Sequence, residues 1–503
     1  MNIILTTLNS RFTHSSLGLR YIYANMQELT CKTKILEFSI NDAIQTIAEQ
    51  IIDEMPSIIG IGVYIWNATE VKELIEIIKK VSPQTVIILG GPEVSYEPFR
   101  VDYSLADFII QGEGDTSFYK LVKKINEGEK PEFRIIKPVI ENLKEVNFPY
   151  EYYTDEDIKN RYIYVEASRG CPFLCEFCLS SIDEKIRTFD LDKLIEEFEK
   201  LWQRGARNFK FVDRTFNINM RLANRILDFF LAKDEEYFAH FEVIPDHFPD
   251  SIKEKIALFP HGALQLEIGI QTLNESIAEN ISRPLKLDKI KENIAFLENH
   301  TTAHIHLDLI VGLPGEDLKS FGKNLDMLVD MSSCEIQVGI LKKLSGTSIN
   351  RHDEAFGMVY SDIPPYDILK TKELSFKDIQ NMKRFARFWD IYYNSGNFKN
   401  SVNLLKTDKA IYQNFSDFSL WIYEQTASTY KISIDRQAQH LFDYLTCKLN
   451  ITKEIVAQAM LEDILKVKGR AVPSYLKPYH IVKKDEHEIK NSNFNKRQSK
   501  HML

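Results

Sequence analysis

Strands and helices alternate along the first 130 residues of the chain. Runs rich in Val, Ile and Leu recur at strand length, and between them apolar residues fall at the intervals of amphipathic helices. The predicted strands are NIILTTL, KILEFSI, SIIGIGVYI, TVIILGG and DFIIQGE. Strands that are apolar throughout are typical of a parallel sheet covered by helices on both faces. We therefore predict a doubly wound, Rossmann-like α/β domain over residues 1–130, with ligands bound beyond the carboxyl ends of its strands.

A second alternating series follows over residues 161–350. Its predicted strands are YIYVEAS, NFKFVDR, HFEVIPD, LQLEIGIQ, HIHLDLIVGL and EIQVGILK. Six strand–helix units predict a (β/α)6 partial TIM barrel with its site at the carboxyl ends of the strands. Residues 131–160 lack this pattern and are predicted to be a linker. We predict a mainly helical, aromatic-rich domain over 351–482 and a disordered tail over 483–503, which has no apolar periodicity.

Composition narrows the class of protein. The chain has 503 residues, 44% of them hydrophobic, and a net charge of −9. A dedicated nucleic-acid binder usually has a basic surface, so this charge argues against that class. No apolar run approaches the roughly 20 residues that span a bilayer, and the N-terminus has no basic region before a long apolar segment. We therefore expect no membrane association and a cytoplasmic location.

Three of the six cysteines lie within the stretch EASRGCPFLCEFCLSS, at Cys171, Cys175 and Cys178. In a reducing compartment, clustered cysteines are more often metal ligands than disulfides. A structural zinc site needs four ligands, and no residue is marked as the fourth, although Cys334 or a histidine would complete it. Three thiolates can instead hold a 4Fe-4S cluster and leave one iron open to another ligand.

The C-x-x-x-C-x-x-C spacing after a first strand, with Phe177 before the last cysteine, resembles the signature of radical S-adenosylmethionine (radical SAM) enzymes. The resemblance implies a 4Fe-4S cluster on the three cysteines. It further implies that S-adenosylmethionine (SAM) binds the open iron and is cleaved to a 5′-deoxyadenosyl radical.

Later segments of the second series also resemble this family: FVDRTFN, EIGIQT, ISRP and LIVGLPGED. The candidate SAM-binding residues that this resemblance implies are Phe177, Asp213, Glu267, Gln271, Arg283, Gly312 and Leu313. An arginine can bind the SAM carboxylate with both arms of its guanidinium. A buried structural Asp213 and a hydrogen-bond network at the strand ends are the alternatives.

The first domain lacks the G-x-G-x-x-G fingerprint of dinucleotide binding. Two of its segments, VIILGGPEVSYEP and FIIQGEGDTSF, instead resemble the cobalamin-binding domain of cobalamin-dependent radical SAM enzymes. The candidate cobalamin-binding residues are Gly90, Gly91, Pro92, Gly112 and Glu113, because glycines let the backbone approach a large ligand. The Asp-x-His-x-x-Gly motif that supplies a cobalt ligand in other cobalamin domains is missing, so we do not expect His14 to bind cobalt. We predict that Trp66 and Asn67 cover the lower face of the cofactor.

The combined resemblance covers about residues 1–350 and extends to bacterial members with a helical C-terminal extension. It implies a methyltransferase acting on an unactivated carbon of an unidentified substrate, with a flavodoxin or ferredoxin as electron donor.

Three alternatives stay open. One is a cobalamin-dependent radical enzyme that catalyses a rearrangement or oxidation without methyl transfer. A second is a tRNA methylthiotransferase, which would carry three further N-terminal cysteines where this chain has only Cys31. The third is a non-catalytic corrinoid-binding protein, against which the cysteine triad argues.

Overall fold

We analysed a computed structural model of the chain, which describes residues 2–129, 131–137, 140–406, 410–467 and 469–480. The predicted tail at 483–503 lies outside the described residues. The chain divides into two compact units. The first comprises the described residues up to Glu242 together with Lys342–Arg351 and Tyr360–Asp367, and the second comprises Val243–Leu341, His352–Val359 and the described residues from Ile368 onward.

A parallel six-stranded sheet opens the first unit, in the order β2-β1-β3-β4-β5-β6. Its strands are β1 (Ile3–Asn9), β2 (Thr33–Ser39), β3 (Ile58–Gly62), β4 (Val86–Gly90), β5 (Phe108–Ile110) and β6 (Ile135–Ile136). Its helices are α1 (Leu17–Ala24), α2 (Ile44–Asp53), α3 (Ala68–Val81) and α4 (Ser117–Asn126). Helices α2 and α3 pack on one face of the sheet, and α1 and α4 pack on the other. Apolar residues on both faces of each strand account for this arrangement, and the predicted doubly wound fold is confirmed.

The order of the strands places a topological switch point between β1 and β3, and such points are where open α/β sheets bind ligands. The carboxyl ends of the central strands are aligned there, because Thr7 pairs with Gly62 and Gly62 pairs with Gly90. The residues just beyond this row therefore lie at one edge of the sheet.

The segment 131–160, which we predict as a linker, contributes strand β6 to this sheet and a short helix, α5 (Asp155–Asn160). Asp157 and Thr154 form a capping box at the start of α5, in which each side chain accepts a hydrogen bond from the other residue's backbone amide. The same carboxylate also lies 2.7 Å from the buried Arg20 of α1. The segment is therefore tied to the first sheet by a buried ion pair.

The first unit also holds the start of the second strand series. Its remaining elements are β7 (Ile163–Val165), β8 (Ser168–Arg169), β9 (Arg187–Thr188), β10 (Asn208–Phe211), β11 (Phe238–Val243), α6 (Leu191–Gln203) and α7 (Met220–Leu231). Strand β10 lies between β7 and β11 and is parallel to both, whereas β8 and β9 form a separate antiparallel pair.

The second unit contains the rest of the strand series and the helical C-terminal part. Its strands are β12 (Leu264–Gln271), β13 (His304–Val311), β14 (Glu335–Ile340), β15 (Val359–Tyr360), which straddles the division, and β16 (Ile368–Lys370). Its helices are α8 (Asp250–Ile256), α9 (Glu275–Asn280), α10 (Leu287–His300), α11 (Leu318–Met331), α12 (Phe376–Tyr392), α13 (Lys399–Asn403), α14 (Tyr412–Thr426), α15 (Ile434–Cys447) and α16 (Lys453–Leu465). Strand β13 lies between β12 and β14 and is parallel to both.

The aromatic residues of the C-terminal helices form a core rather than a pocket. Trp389 and Tyr392 of α12 are fully buried. The ring of Trp389 lies 4.8 Å from that of Phe415, and the ring of Tyr392 lies 5.0 Å from that of Phe418, both on α14. No helix in the described part of the chain is both long and apolar enough to cross a membrane.

Candidate functional site

The three predicted ligand cysteines lie on one loop that the short pair β8–β9 closes at its base. The loop leaves the sheet just after β7, and the amide of Cys171 donates to the carbonyl of Asp183 across it at 2.8 Å. Gly170 is essential to this crossing. Its φ is +90°, and a Cβ there would lie 2.3 Å from the carbonyl oxygen of Lys185. Glycine is therefore needed directly before the first cysteine.

The cysteine loop suits a cluster of several metal ions better than a single zinc ion. Cys171 and Cys175 are 7% and 5% exposed, and Cys178 and Phe177 are half-buried. Three thiolates leave a tetrahedral zinc ion without a fourth protein ligand. A 4Fe-4S cluster can be held by three cysteines with one iron open, so this donor set fits such a cluster.

Asp213 follows β10 and supports the start of the cysteine loop. Its carboxylate accepts a hydrogen bond from the amide of Ala167 at 2.9 Å and another from the hydroxyl of Ser168 at 2.6 Å. The side chain is buried, and the loss of solvation raises the pKa of Asp213 to about 7. The structure thus places this predicted SAM-binding residue where it fixes the backbone between β7 and the cysteines.

A cavity of about 700 Å³ lies at the carboxyl ends of the first sheet, entirely within the first unit. This volume is in the usual range of about 300–1,000 Å³ for cofactor and ligand sites. The predicted cobalamin-binding residues that line it are Trp66, Gly90, Gly91, Pro92, Gly112 and Glu113. Its opposite wall includes Tyr164, Arg169 and Leu179, and Leu179 follows Cys178 directly. The cavity therefore connects the first sheet with the cysteine loop.

Glycines form part of the cavity wall where a side chain would enter the open space. A Cβ added to Gly90 would meet one atom within 4 Å, the Ile110 carbonyl oxygen at 3.9 Å, and a Cβ on Gly114 would meet only Ile22. Gly91 has a different role, because a Cβ there would lie 2.5 Å from the carbonyl oxygen of Val63. At these glycines the cavity wall consists of backbone without side chains, which lets a large flat ligand such as a corrin approach closely.

The two residues predicted to cover the lower face of cobalamin have different surroundings. Trp66 is 41% exposed, stacks on Tyr64 with ring centroids 4.6 Å apart, and borders the cavity. Asn67 is fully buried, accepts from the amide of Tyr64 at 2.8 Å and donates to the carbonyl of Leu8 at 3.0 Å. Asn67 thus holds the loop that presents the two aromatic rings.

A network of buried and half-buried ions joins the glycine loop after β5 to the cysteine loop. Arg169 contacts Asp115 through two hydrogen bonds of 2.9 Å each and Glu166 at 2.7 Å. Arg187 contacts Glu113 at 2.5 Å and Asp183 at 2.6 Å. Burial raises the pKa of Glu166, and the neighbouring guanidinium of Arg169 opposes that rise. The two arginines therefore connect both candidate cofactor loops.

The remaining predicted residues lie in the second unit, and Gln271, Gly312 and Leu313 among them lie at or just beyond the carboxyl ends of β12 and β13. Gln271 ends β12 at a bulge with φ +71°, a conformation that side-chain-bearing residues adopt mainly under local constraint. Arg283 donates to the carbonyl of Gly269 on the same strand. Glu267 lies earlier on β12. Gly312 has φ +90° after β13, and Leu313 is fully buried.

Reasoning from the sequence missed Arg169, Arg187 and Asp115, and it did not assign His14, Tyr64 or Tyr164 to the cavity. His14 lines the cavity and lies 2.5 Å from the hydroxyl of Tyr164, and its burial lowers its pKa. The position of Arg169, two residues before Cys171, could have marked it as a candidate site residue. Asp115 and Glu113, which these two arginines contact across the loops, are 54 and 74 positions away from Arg169 and Arg187, so that pairing could not be predicted from the sequence.

Three family profiles match separate parts of the chain. The B12 binding domain matches residues 3–122, the Radical SAM superfamily matches residues 165–328, and a family described as a protein of unknown function, DUF4080, matches residues 354–503.

The chain is similar to an uncharacterised methyltransferase of Pyrococcus horikoshii, with 24% identity over 416 residues, 74% of this chain and 87% of the relative. It is also similar to the cobalamin-dependent radical SAM methyltransferase TokK of Streptomyces tokunonensis, with 22% identity over 343 residues. The aligned region covers 59% of this chain and 49% of TokK. The chain thus spans about half the length of TokK.

Among solved structures, the chain resembles the cobalamin-dependent S-adenosylmethionine radical enzyme OxsB with aqua-cobalamin and S-adenosylmethionine bound. The TM-score is 0.62 at 14% identity, over 92% of this chain and 78% of OxsB, and this likeness shows a shared fold. With a B12 binding domain followed by a radical SAM domain, the chain belongs to the radical SAM enzymes that carry a cobalamin-binding domain.

Proposed function

We propose that this protein is a cobalamin-dependent radical SAM methyltransferase that methylates an unactivated carbon. The observation that carries the proposal is the cavity of the first unit, which reaches from the glycine-lined edge of the B12-type sheet to Leu179 beside Cys178. Relatives that are named as methyltransferases support the same reaction class. When bound, the cluster supplies an electron for cleavage of SAM and cobalamin supplies the methyl-carrying metal.

In this proposal, Cys171, Cys175 and Cys178 hold three irons of a 4Fe-4S cluster. Gly170 and the closing pair β8–β9 fix the loop, and Asp213 fixes the backbone in front of it. These residues keep the thiolates in place without relying on the cluster itself, so the loop is preorganised for assembly.

The remaining SAM contacts are proposed from the resemblance of their segments to the family. They are Phe177, Asp213, Glu267, Gln271, Arg283, Gly312 and Leu313. The buried position of Leu313 favours a contact through its backbone rather than its side chain. The bulge that sets Gln271 supports a functional role, because constrained backbone of this kind concentrates at binding sites.

Cobalamin would occupy the cavity, against the backbone of Gly90, Gly91, Pro92 and Gly112. Trp66 and the stacked Tyr64 present an aromatic face there, while Asn67 supports the loop that carries them. Glu113 is committed to Arg187, so we assign it to positioning the glycine loop. Because the chain lacks the motif that supplies a histidine to cobalt, we propose that no protein histidine binds the metal from below.

We propose a cytoplasmic location and a flavodoxin or ferredoxin as the electron donor.

Two single substitutions separate the two cofactor sites. Cys175→Ala removes one cluster ligand, so we expect loss of 5′-deoxyadenosine formation with cobalamin binding retained. Gly90→Val directs its side chain into the cavity, so we expect loss of bound cobalamin with iron content retained. Iron, cobalamin and nucleoside products are measured after anaerobic reconstitution. Retention of cobalamin by Gly90→Val at the wild-type level would place cobalamin elsewhere and overturn the assignment of the cavity.

A further inference from the structure

Three side chains of the second unit bring metal-ligating atoms together at the amino-terminal ends of two neighbouring strands. His304 begins β13 and Glu335 begins β14, and His306 points to the same side as His304 because side chains two apart on a strand share a face. Within the ranges that the structure describes, this is the one set of three His, Cys, Asp or Glu residues whose ligand atoms all lie within 4.8 Å of one another. We propose that His304, His306 and Glu335 bind a divalent metal ion, with Zn²⁺ as the ion that best suits them.

The distances within the set match those of ligands that share one ion. Nε2 of His304 lies 3.1 Å from Oε1 of Glu335, and Nε2 of His306 lies 3.6 Å from Oε2 of the same carboxylate. Zinc binds histidine nitrogen and carboxylate oxygen at about 2.0–2.2 Å in a tetrahedron, which separates neighbouring ligand atoms by roughly 3.3 Å. The second distance is also longer than a normal hydrogen bond. Both imidazoles therefore direct Nε2 toward the same carboxylate.

The neighbours of His306 suit a metal-bound imidazole. Its Nδ1 lies 3.2 Å from the side-chain amide of Gln265 and 3.0 Å from that of Gln337. In both contacts the amide nitrogen faces Nδ1. If either amide group is rotated by 180°, its oxygen accepts a hydrogen bond from Nδ1–H, and the lone pair of Nε2 is then available to the metal. Metal-bound histidines commonly make such a second contact, which fixes both the ring and its tautomer.

The Glu335 carboxylate is buried, and a nearby positive charge would stabilise its ionised form. The Glu335 side chain is 1% exposed, and those of His304 and His306 are 9% and 13% exposed. A buried carboxylate is costly unless a cation or hydrogen-bond donors compensate it. A divalent ion bound to the carboxylate and to both imidazoles would supply that compensation.

The proposed ion lies far from Gly312 and Leu313, whereas Glu267 of β12 is its neighbour, because Glu267 pairs in register with His306. His304 and Val311, the residue directly before Gly312, lie at opposite ends of β13, about 23 Å apart at roughly 3.3 Å per residue over seven steps. At the amino-terminal end of a barrel strand, side chains usually serve stability. The ion would therefore join β13 to β14, and the proposal does not rest on the proposed methyltransferase activity.

The test uses the full chain with Cys171→Ala, Cys175→Ala and Cys178→Ala, so that the cysteine loop cannot bind zinc. After equilibration with Zn²⁺ and removal of excess metal, mass spectrometry of the metal content should give one zinc per chain. Replacement by Co²⁺ should give the visible absorption of a tetrahedral site with nitrogen and oxygen ligands. In the same background, His306→Ala should weaken zinc binding by at least about 100-fold and Glu335→Gln by about 10-fold or more, while the exposed His300→Ala should leave it unchanged.

Thermal unfolding supplies a second readout that does not depend on the histidine variant folding. Zn²⁺, but not Mg²⁺, should raise the unfolding midpoint of the triple-alanine chain, and Glu335→Gln should reduce that rise. Substoichiometric zinc in the triple-alanine chain, or equal zinc binding with and without Glu335→Gln, would overturn the proposal. The three side chains would then form only a hydrogen-bonded histidine–carboxylate network.

Discussion

Arg169 and Asp115 form a two-pronged ion pair, with Nη1–Oδ2 and Nη2–Oδ1 distances of 2.9 Å each. Arg169 lies two residues before Cys171, and Asp115 follows the glycine loop after β5. The pair therefore joins the loop assigned to the cluster to the loop assigned to cobalamin. A reaction that uses both cofactors needs a fixed distance between them, and this contact is suited to fixing it.

We predict that Arg169→Lys lowers the free energy of unfolding of the first unit by about 2–3 kcal/mol. A lysine has one point charge and cannot bridge Asp115 and Glu166 at once, so a buried carboxylate loses its partner. The measurement is the midpoint of urea unfolding, together with iron per chain after reconstitution.

The matched control is Arg207→Lys. Arg207 lies 2.7 Å from Glu235, but these side chains are 25% and 65% exposed. Such a pair contributes less than about 1 kcal/mol. Equal losses of stability in the two variants would contradict a special role for Arg169.

We predict that Gly170→Ala prevents cluster assembly. Its added Cβ would lie 2.3 Å from the carbonyl of Lys185, so the crossing of the cysteine loop would have to open. Gly205 has a similar φ of +97°, but a Cβ there would meet no atom within 4 Å. Gly205→Ala should therefore cost only about 1 kcal/mol and keep full iron content. The measurement is iron and sulfide per chain, and normal loading of Gly170→Ala would disprove the prediction.

Asp213 should make the protein less stable as pH rises from 5 to 7. Its pKa is about 7 in the folded chain, above its usual value, because burial disfavours the charged form. The folded state therefore holds a proton that the unfolded state has lost in this range, and stability falls with rising pH. Asp213→Asn should remove this pH dependence. The difference in free energy of unfolding between the variant and the wild type should therefore change by about 2 kcal/mol between pH 5 and pH 7. Urea midpoints at pH 5, 6 and 7 measure it, and parallel curves for both proteins would contradict it.

Glu316→Gln provides an independent comparison in the second unit. Glu316 is buried, and its pKa is also raised to about 7 while Thr272 and Asn324 donate to it. Because its pKa is raised like that of Asp213, its removal should flatten the pH dependence with the same sign. An opposite sign for Glu316→Gln would show that hydrogen bonding, rather than burial, controls that group.

Local sequence patterns predicted the covered sheet and the cysteine loop, because both depend mainly on residues close together in the sequence. The continuous apolar strands specified a covered parallel sheet, and the three cysteines specified a loop because their spacing is short. The sequence did not reveal that β6 lies within the predicted linker, since a two-residue strand has no periodicity. It also could not pair Arg169 with Asp115, because that contact depends on how two distant loops fold together. Asp213 shows the same limit, since its burial and its contact with Ala167 depend on the neighbouring strand.

The most direct test of the central claim is an anaerobic assay of the reconstituted chain without added substrate. The protein is loaded with iron, sulfide and hydroxocobalamin, and SAM and a strong reductant are added. The account predicts both S-adenosylhomocysteine and 5′-deoxyadenosine, with the first absent when cobalamin is omitted and the second absent in Cys175→Ala. Formation of 5′-deoxyadenosine alone, with cobalamin bound, would contradict methyl transfer and favour a rearrangement or oxidation.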